Sequence, residues 1–175
     1  FAREKDIPYL GLCLGMHIAA IEFARNVLNM SGANSAEFAP DSAYPVIHFM
    51  DGQDNIKEKG GTMRLGSYPC DIEPNSRLYE AYGESQVEER HRHRLEFNNS
   101  YREDFESAGV VFSGLSPDKS LVEVMELSDR KWYVACQYHP EFKSRPAKSH
   151  PLFRQFIAAV KEQAGVQQVL FSASK

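Results

Sequence analysis

Cysteine is scarce in this sequence, and long apolar segments are missing from it. The 175 residues include three cysteines, Cys13, Cys70 and Cys136. An odd number of widely spaced cysteines argues against a disulfide framework and matches no metal-ligand pattern, so we expect a reducing, cytoplasmic setting and no bound metal. No apolar run approaches the roughly 18 residues that a membrane-spanning helix requires, so we expect no membrane segment.

An excess of positive charge is also lacking. Lysine and arginine number 20 against 24 aspartates and glutamates, which gives a formal net charge of −4. This balance argues against a general nucleic-acid-binding protein. The apolar fraction of 42% and the charged fraction of 25% are ordinary for a globular protein. The length predicts one domain.

The hydrophobic pattern alternates between strand-like and helix-like segments. Residues 7–14 form a short apolar run that predicts a strand buried on both faces, and residues 15–30 have helical periodicity. Further strands are predicted at 45–50, 60–72, 87–99, 110–115, 120–127 and 132–138, and further helices at 76–83, 102–109 and 149–165. This order predicts an α/β fold with an antiparallel section near the end. Residues 51–60 are typical of a loop or mobile hairpin.

Both ends of the last predicted helix carry a capping signal in the sequence. Ser149 is the predicted N-cap, and Gly165 is predicted to end the helix. Gly109 is predicted to end the helix at 102–109 in the same way. The strand at 87–99 has an alternating pattern that fits an exposed or interface strand.

Cys13 lies between two glycines in YLGLCLGMH (residues 9–17), where a predicted strand meets a predicted helix. This pattern is typical of a nucleophile elbow, in which Gly11 and Gly15 must lack bulk so that the turn can be tight. The N–H of Leu14 could then donate to a developing oxyanion, and the helix N-terminus would favour the thiolate. The alternative is a buried structural cysteine beside packing glycines.

A cysteine nucleophile needs a base, and His139 is the best candidate among six histidines. It follows an apolar strand in ACQYHPEF, and Glu141 lies two residues further on. The two side chains could complete a Cys–His–Glu triad of nucleophile, base and orienting acid. The alternative is a histidine at a strand end beside a solvent-exposed glutamate.

The segment ERHRHRLE suggests a competing site for metal or phosphate. Strand alternation places His91 and His93 on one face and Arg90, Arg92 and Arg94 on the other. Two histidines without a third ligand make a weak metal site. The arginines suit carboxylate recognition or a domain interface, and a solvated charged strand remains the alternative.

Five motifs occur in order along the chain: GLCLGM, ANSAEF, GGTMRLG, ERHRHRLE and CQYHPEF. Together they resemble the glutaminase (class I glutamine amidotransferase) domain of the CTP synthases. The GxCxG and HPE patterns are common to the class, whereas GGTMRLG and RHRHR resemble the CTP synthases in particular. The resemblance implies a flavodoxin-like fold with a mixed central sheet flanked by helices. We assign residues 1–165 to this domain and residues 166–175 to a C-terminal tail.

The resemblance also implies roles for individual residues. Cys13 would attack the side-chain amide of L-glutamine to form a thioester, with His139 moving protons and Glu141 orienting it. Glu37 resembles the acid that holds the substrate amino group, and Arg94 resembles the residue that holds the α-carboxylate. Four consecutive residues would line the glutamine site: Leu14, Gly15, Met16 and His17.

The resemblance further implies a larger enzyme. Ammonia would pass to a synthase domain that converts UTP to CTP with ATP and Mg²⁺, while GTP activates the glutaminase and the enzyme forms a homotetramer. No cofactor is expected in the glutaminase domain itself, and neither nucleic acid nor membrane is an expected partner.

Two features depart from the family pattern. The family usually has glutamine where this chain has His17, which is bulkier and titrates near neutral pH. The family domain also has strands before the elbow and a glycine-rich loop that supplies a second oxyanion donor. Because the chain begins with the helix-like FAREKD, we expect an N-terminally incomplete piece of a longer polypeptide. Other possibilities are a γ-glutamyl hydrolase of the same class and a non-catalytic interaction module.

Overall fold

A computed structural model describes residues 1–49 and 63–165 of the chain. In these ranges the strands are β1 Tyr9–Leu12, β2 Asn34–Ser35, β3 Pro45–Phe49, β4 Arg64–Ile72, β5 Gln86–His93, β6 Leu95–Phe97, β7 Val110–Leu115, β8 Val122–Leu127 and β9 Tyr133–Cys136. The α-helices are α1 Leu14–Asn26, α2 Arg77–Tyr82, α3 Arg102–Ser107 and α4 Pro151–Gln163. The predicted loop at 51–60, the double glycine at 60–61 and the tail at 166–175 lie outside the described residues.

The main sheet is mixed and has the strand order β1-β9-β8-β7-β4-β5. β1 and β9 run parallel, with Gly11 opposite Ala135, and the remaining neighbours are antiparallel. A smaller sheet has the order β2-β3-β6. The predicted α/β fold with an antiparallel section is therefore confirmed. The parallel pairing matters for function because it brings the carboxyl ends of β1 and β9 to one edge.

Apolar side chains cover both faces of the main sheet. On one face, Met16 and Phe23 of α1 pack with Phe105 of α3 and with residues of the smaller sheet. On the other face, Leu78 of α2 and Leu152 of α4 pack together with residues of the central strands. Burial of these two clusters is the main favourable term holding the helices on the sheet.

The ends of three helices can be compared with the ends predicted from the sequence. Gly109 and Gly165 follow α3 and α4 with positive φ angles of 98° and 66°, so both predicted stops are confirmed. The predicted N-cap Ser149 is wrong: His150 caps α4, and its Nδ1 accepts from the Leu152 N–H at 3.3 Å. The first helix ends at Asn26, short of the predicted residue 30.

The strand expectations need three corrections. β1 is not buried on both faces: among its residues only Gly11 is fully buried. The strand predicted at 87–99 is broken at Arg94, because β5 pairs with β4 whereas β6 pairs with β3. β5 alternates strictly between solvent and core, so of the two predicted possibilities, an exposed or an interface strand, the fully exposed one is wrong. Residues 2–6 form hydrogen-bonded turns, with Lys5 N–H donating to Phe1 O at 2.9 Å.

No helix among residues 1–49 and 63–165 is long and apolar enough to cross a membrane.

Candidate active site

Cys13 occupies the turn between β1 and α1. Its backbone has φ 49° and ψ −102°, a combination that side-chain-bearing residues rarely adopt. The Cys13 N–H donates to the Cys136 carbonyl at 2.8 Å, which fastens this turn to the end of β9. Backbone strain of this kind costs about 1–3 kcal/mol and persists where the surrounding structure imposes it, often at catalytic residues. The geometry is that of the predicted nucleophile elbow.

The two glycines flanking the elbow are not equivalent. A Cβ added to Gly11 would lie 2.8 Å from the backbone carbon of Gly15 and 2.9 Å from the Tyr9 ring. A Cβ added to Gly15 would instead lie 3.6 Å from Tyr9 Oη, which is an ordinary contact. The predicted need for a small residue therefore holds for Gly11, whereas at Gly15 the described residues leave room for a methyl group.

These distances make a prediction for a matched pair of variants. Gly11→Ala should destabilise the protein by about 1–3 kcal/mol, because β1 and α1 must move apart to admit the methyl group. Gly15→Ala should change the free energy of unfolding far less. Urea unfolding of both variants measures the difference. Equal losses in the two variants would contradict the steric account of the elbow.

His139 lies just beyond the end of β9, and its two ring nitrogens have different surroundings. Nδ1 lies 2.6 Å from Glu141 Oε1, while the buried Nε2 has no hydrogen-bond partner among the described residues. A proton on Nδ1 that is donated to Glu141 leaves Nε2 as the basic nitrogen. The ring stacks on Phe142 with centroids 4.8 Å apart, and the His139 N–H donates to Arg90 O at 2.8 Å. Glu141 and Phe142 thus hold the imidazole, and the bond to Arg90 holds the backbone of His139.

Opposing effects act on the pKa of the Cys13 thiol. Burial raises the pKa of the Cys13 thiol above its ordinary value, and the negative charges of Glu141 and Glu96 act in the same direction. Hydrogen bonds from the Leu14 N–H and from Gln137 lower this pKa but do not outweigh burial. The helix N-terminus therefore favours the thiolate through the Leu14 N–H, as expected, but burial has the larger effect, so a base is needed to take the proton.

A cavity of about 600 Å³ opens beside Cys13. Five residues with a role implied by the resemblance line it: Cys13, Leu14, His17, Glu37 and Arg94. The other lining residues are Phe38, Met63, Arg92, His93 and Leu95. The wall carries both a carboxylate and guanidinium groups, a combination that suits a ligand with one ammonium and one carboxylate.

Two residues of the predicted glutamine site do not line this cavity. Met16 is fully buried in the core below α1. Gly15 contributes its carbonyl to the fold, accepting from Tyr9 Oη at 2.7 Å. Their predicted contact with substrate stays a prediction.

His17 is buried and joined to Cys13 through a residue that the sequence reasoning missed. Its Nε2 lies 2.8 Å from Gln137 Oε1, and Gln137 Nε2 lies 3.8 Å from Cys13 Sγ. Burial lowers the pKa of His17, with the hydrogen bond to Gln137 opposing the shift. The expectation that His17 titrates near neutral pH therefore needs correcting, because its pKa lies below the ordinary histidine value.

The histidines of ERHRHRLE do not form a metal site with their neighbours. His91 Nδ1 and His93 Nε2 lie 2.8 Å apart, and Leu95 O lies 3.1 Å from His93 Nδ1. Burial lowers the pKa of His91 to about 2 and that of His93 to about 3, so both are neutral. Within the described ranges, no group of three or more His, Cys, Asp or Glu residues could hold a metal ion.

A buried ionic network lies beside these histidines and was also missed. Arg64 of β4 donates to Glu123 of β8 at 2.6 Å and to Glu96 of β6 at 3.5 Å. The three side chains are 7%, 0% and 2% exposed. Burial raises the pKa of Glu96 to about 8 despite the charge of Arg64. Because its contact with Arg64 is the shorter one, Glu123 is the main ionic partner of Arg64.

Comparisons with known proteins agree with this geometry. The family described as glutamine amidotransferase class-I matches residues 1–159. A CTP synthase of Chloroflexus aggregans is 64% identical over 159 residues, which cover 91% of this chain and 29% of that relative. A CTP synthase of Aquifex aeolicus is 59% identical, with 93% of this chain and 30% of the relative covered. The chain thus spans less than a third of the length of these relatives.

The solved structures include one with a closely similar fold. The glutaminase domain of Trypanosoma brucei CTPS with bound acivicin superposes with a TM-score of 0.86 at 40% identity. The superposition covers 92% of this chain and 62% of that one. The similarity therefore extends over most of this chain.

Proposed function

Because the chain belongs to the class I glutamine amidotransferase family, we propose that it hydrolyses L-glutamine to glutamate and ammonia as the glutaminase portion of a CTP synthase. One observation carries the proposal beyond the family match: a strained cysteine at the elbow opens onto a cavity whose wall includes Glu37 and Arg94. A γ-glutamyl hydrolase is not favoured, because the high-identity relatives are CTP synthases.

Substrate binding follows from the charges of the cavity. Glu37 would hold the α-ammonium group of glutamine, and Arg94 would hold its α-carboxylate through a charge-assisted pair. The side-chain amide would then reach Cys13, with Leu14 and His17 forming the near wall. The two charged contacts select an α-amino acid and fix its direction in the cavity.

The chemistry needs one nucleophile, one base and one oxyanion donor. His139 Nε2 takes the thiol proton of Cys13, and the sulfur adds to the amide carbon of glutamine. The Leu14 N–H stabilises the negative oxygen that develops. His139 then protonates the leaving nitrogen, so that ammonia departs and a thioester remains. Water, deprotonated by the same nitrogen, attacks the thioester and releases glutamate, while the proton returns to the cysteine.

The proposal extends to a longer protein. The ammonia would pass to a synthase domain that converts UTP to CTP with ATP and Mg²⁺, and GTP would activate the glutaminase within a homotetramer. Residues 1–165 would form the glutaminase domain and residues 166–175 its tail. This extension is supported by the resemblance and by the names of the relatives, and no step above uses a metal or cofactor.

A glutamine-analogue electrophile tests the assignment on the chain itself. Acivicin, the compound bound in the Trypanosoma structure, should label Cys13 with one equivalent, and excess L-glutamine should slow this labelling. Cys70 and Cys136 are fully buried, and burial raises the pKa of both thiols, so neither should react. Mass spectrometry of peptides locates the label.

The same experiment has clear contrary outcomes. Labelling that falls mainly on Cys70 or Cys136, or that glutamine does not slow, would refute the assignment of Cys13. Protection by a γ-glutamyl peptide but not by free glutamine would favour the γ-glutamyl hydrolase reading instead.

A further inference from the structure

Gln137 connects two buried residues of different elements. It follows β9, is fully buried, and its own N–H donates to the Glu123 carbonyl at 2.8 Å. Its side-chain nitrogen lies 3.8 Å from Cys13 Sγ, and its side-chain oxygen lies 2.8 Å from His17 Nε2. A residue 124 positions from Cys13 in sequence thus contacts the sulfur directly.

The direction of this chain depends on which ring nitrogen of His17 carries the proton. An amide nitrogen only donates and an amide oxygen only accepts, so the oxygen facing His17 requires a proton on His17 Nε2. In that arrangement the amide nitrogen faces Cys13 and donates to its sulfur. If the amide were reversed, an oxygen would face the sulfur, and a carbonyl oxygen cannot donate to a thiolate.

The identity of residue 17 therefore matters for Cys13 at a distance. His17 is only 4% exposed, so a water molecule cannot easily replace its N–H. Without a donor at position 17 the Gln137 amide is free to turn, and its oxygen would lose a buried partner. A glutamine at this position also carries an N–H that can donate to the same oxygen.

We propose that Gln137 is a positioning residue that holds Cys13 Sγ and favours its thiolate, and that His17 sets the direction of the Gln137 amide. The chain His17–Gln137–Cys13 acts on the nucleophile through one N–H donated to sulfur. The inference rests on the proposed function only for its effect on glutamine hydrolysis.

The test uses alkylation of Cys13, which needs no substrate. In the full chain, the rate of reaction with iodoacetamide is followed across pH, with Cys13→Ala as the blank. Gln137→Met should slow alkylation near neutral pH about tenfold and move the profile to higher pH, because a donor to the thiolate is lost. His17→Met should act in the same direction, whereas His17→Gln should stay within about twofold of the unchanged chain.

Steady-state kinetics on glutamine give the second readout. Gln137→Met should lower kcat about tenfold with little change in KM, because the residue does not line the cavity. Gln86→Met is the matched control: this exposed glutamine bonds Asp71 at 2.6 Å and should change neither measurement. Gln137→Asn, which keeps the amide but cannot span both partners, replaces the Met variant if thermal melting shows that the latter is unfolded.

The outcomes separate this proposal from the proposed function. Shifted alkylation profiles in a chain whose Cys13 is not labelled by acivicin would keep the positioning role and refute the glutaminase assignment. Unchanged alkylation profiles in Gln137→Met and Gln137→Asn would overturn the positioning role. So would a His17→Gln variant as impaired as His17→Met.

Discussion

Replacing Cys13 with alanine is expected to remove glutamine hydrolysis almost entirely, with kcat falling by on the order of 10⁴-fold or more. The thiol forms the covalent intermediate, and no other described side chain at the elbow can replace it. In the longer enzyme, the same change should leave CTP formation from added ammonia intact, because that reaction does not use the thiol. Ammonia release from glutamine and CTP formation from ammonium chloride, measured side by side, check both parts.

Cys70→Ala is the matched control for this variant. Cys70 is a fully buried cysteine of β4, away from the residues that line the cavity beside Cys13. Its replacement should lower stability but leave glutamine hydrolysis within about twofold. Residual hydrolysis above one hundredth of the original rate in Cys13→Ala would show that the cysteine is not the nucleophile.

The elbow could be predicted from the sequence because its causes are local. The strand, the turn and the helix are consecutive, although the Cys13 N–H also bonds the distant Cys136 carbonyl. The steric demand at Gly11 is equally local, since the clashing atoms belong to Tyr9 and Gly15. The HPE segment is local in the same way, with His139 and Glu141 two residues apart and in direct contact.

The contacts that sequence reasoning missed join distant parts of the chain. Gln137 meets Cys13 across 124 positions, and Arg64 meets Glu123 across 59. Such pairs depend on strand order and register, which hydrophobic periodicity does not specify. The alternating sequence of β5 correctly placed His91 and His93 on one face of the strand. The alternation alone could not show that this face is the buried one.

The charged residues of β4, β6 and β8 are another case in which the sequence does not show burial. An arginine and two glutamates in separate strands look like solvated charges, yet Arg64, Glu96 and Glu123 are all buried. Opposite Arg64 in the register lies His93, one residue before Arg94. The network therefore stabilises the junction of β5 and β6, where Arg94 lines the cavity. Loss of the network should affect the site as well as the fold.

Replacing Arg64 with methionine should cost about 3–5 kcal/mol of unfolding free energy at pH 8.5, because it leaves two buried acids without their cation where both tend to ionise. Both acids already have a raised pKa through burial, and that of Glu96 lies at about 8 in the folded protein. An acid whose folded pKa exceeds its unfolded value of about 4.5 loses stability as pH rises from that value through the folded pKa. Without Arg64 this loss of stability is larger. The difference in unfolding free energy between variant and parent should therefore widen from pH 5.5 to pH 8.5.

Urea unfolding at those two pH values measures the gap, and Arg102→Met provides the matched control. Arg102 pairs with Glu106 at 3.0 Å on the surface of α3, where an ion pair contributes about 0–1 kcal/mol. Its loss should be small and nearly independent of pH. A double variant, Arg64→Met with Glu123→Gln, should regain part of the loss, because the most deeply buried carboxylate is then neutral at every pH. An Arg64→Met variant no less stable than Arg102→Met, or one whose deficit shrinks as pH rises, would show that the buried network does not carry the charge pairing assigned to it.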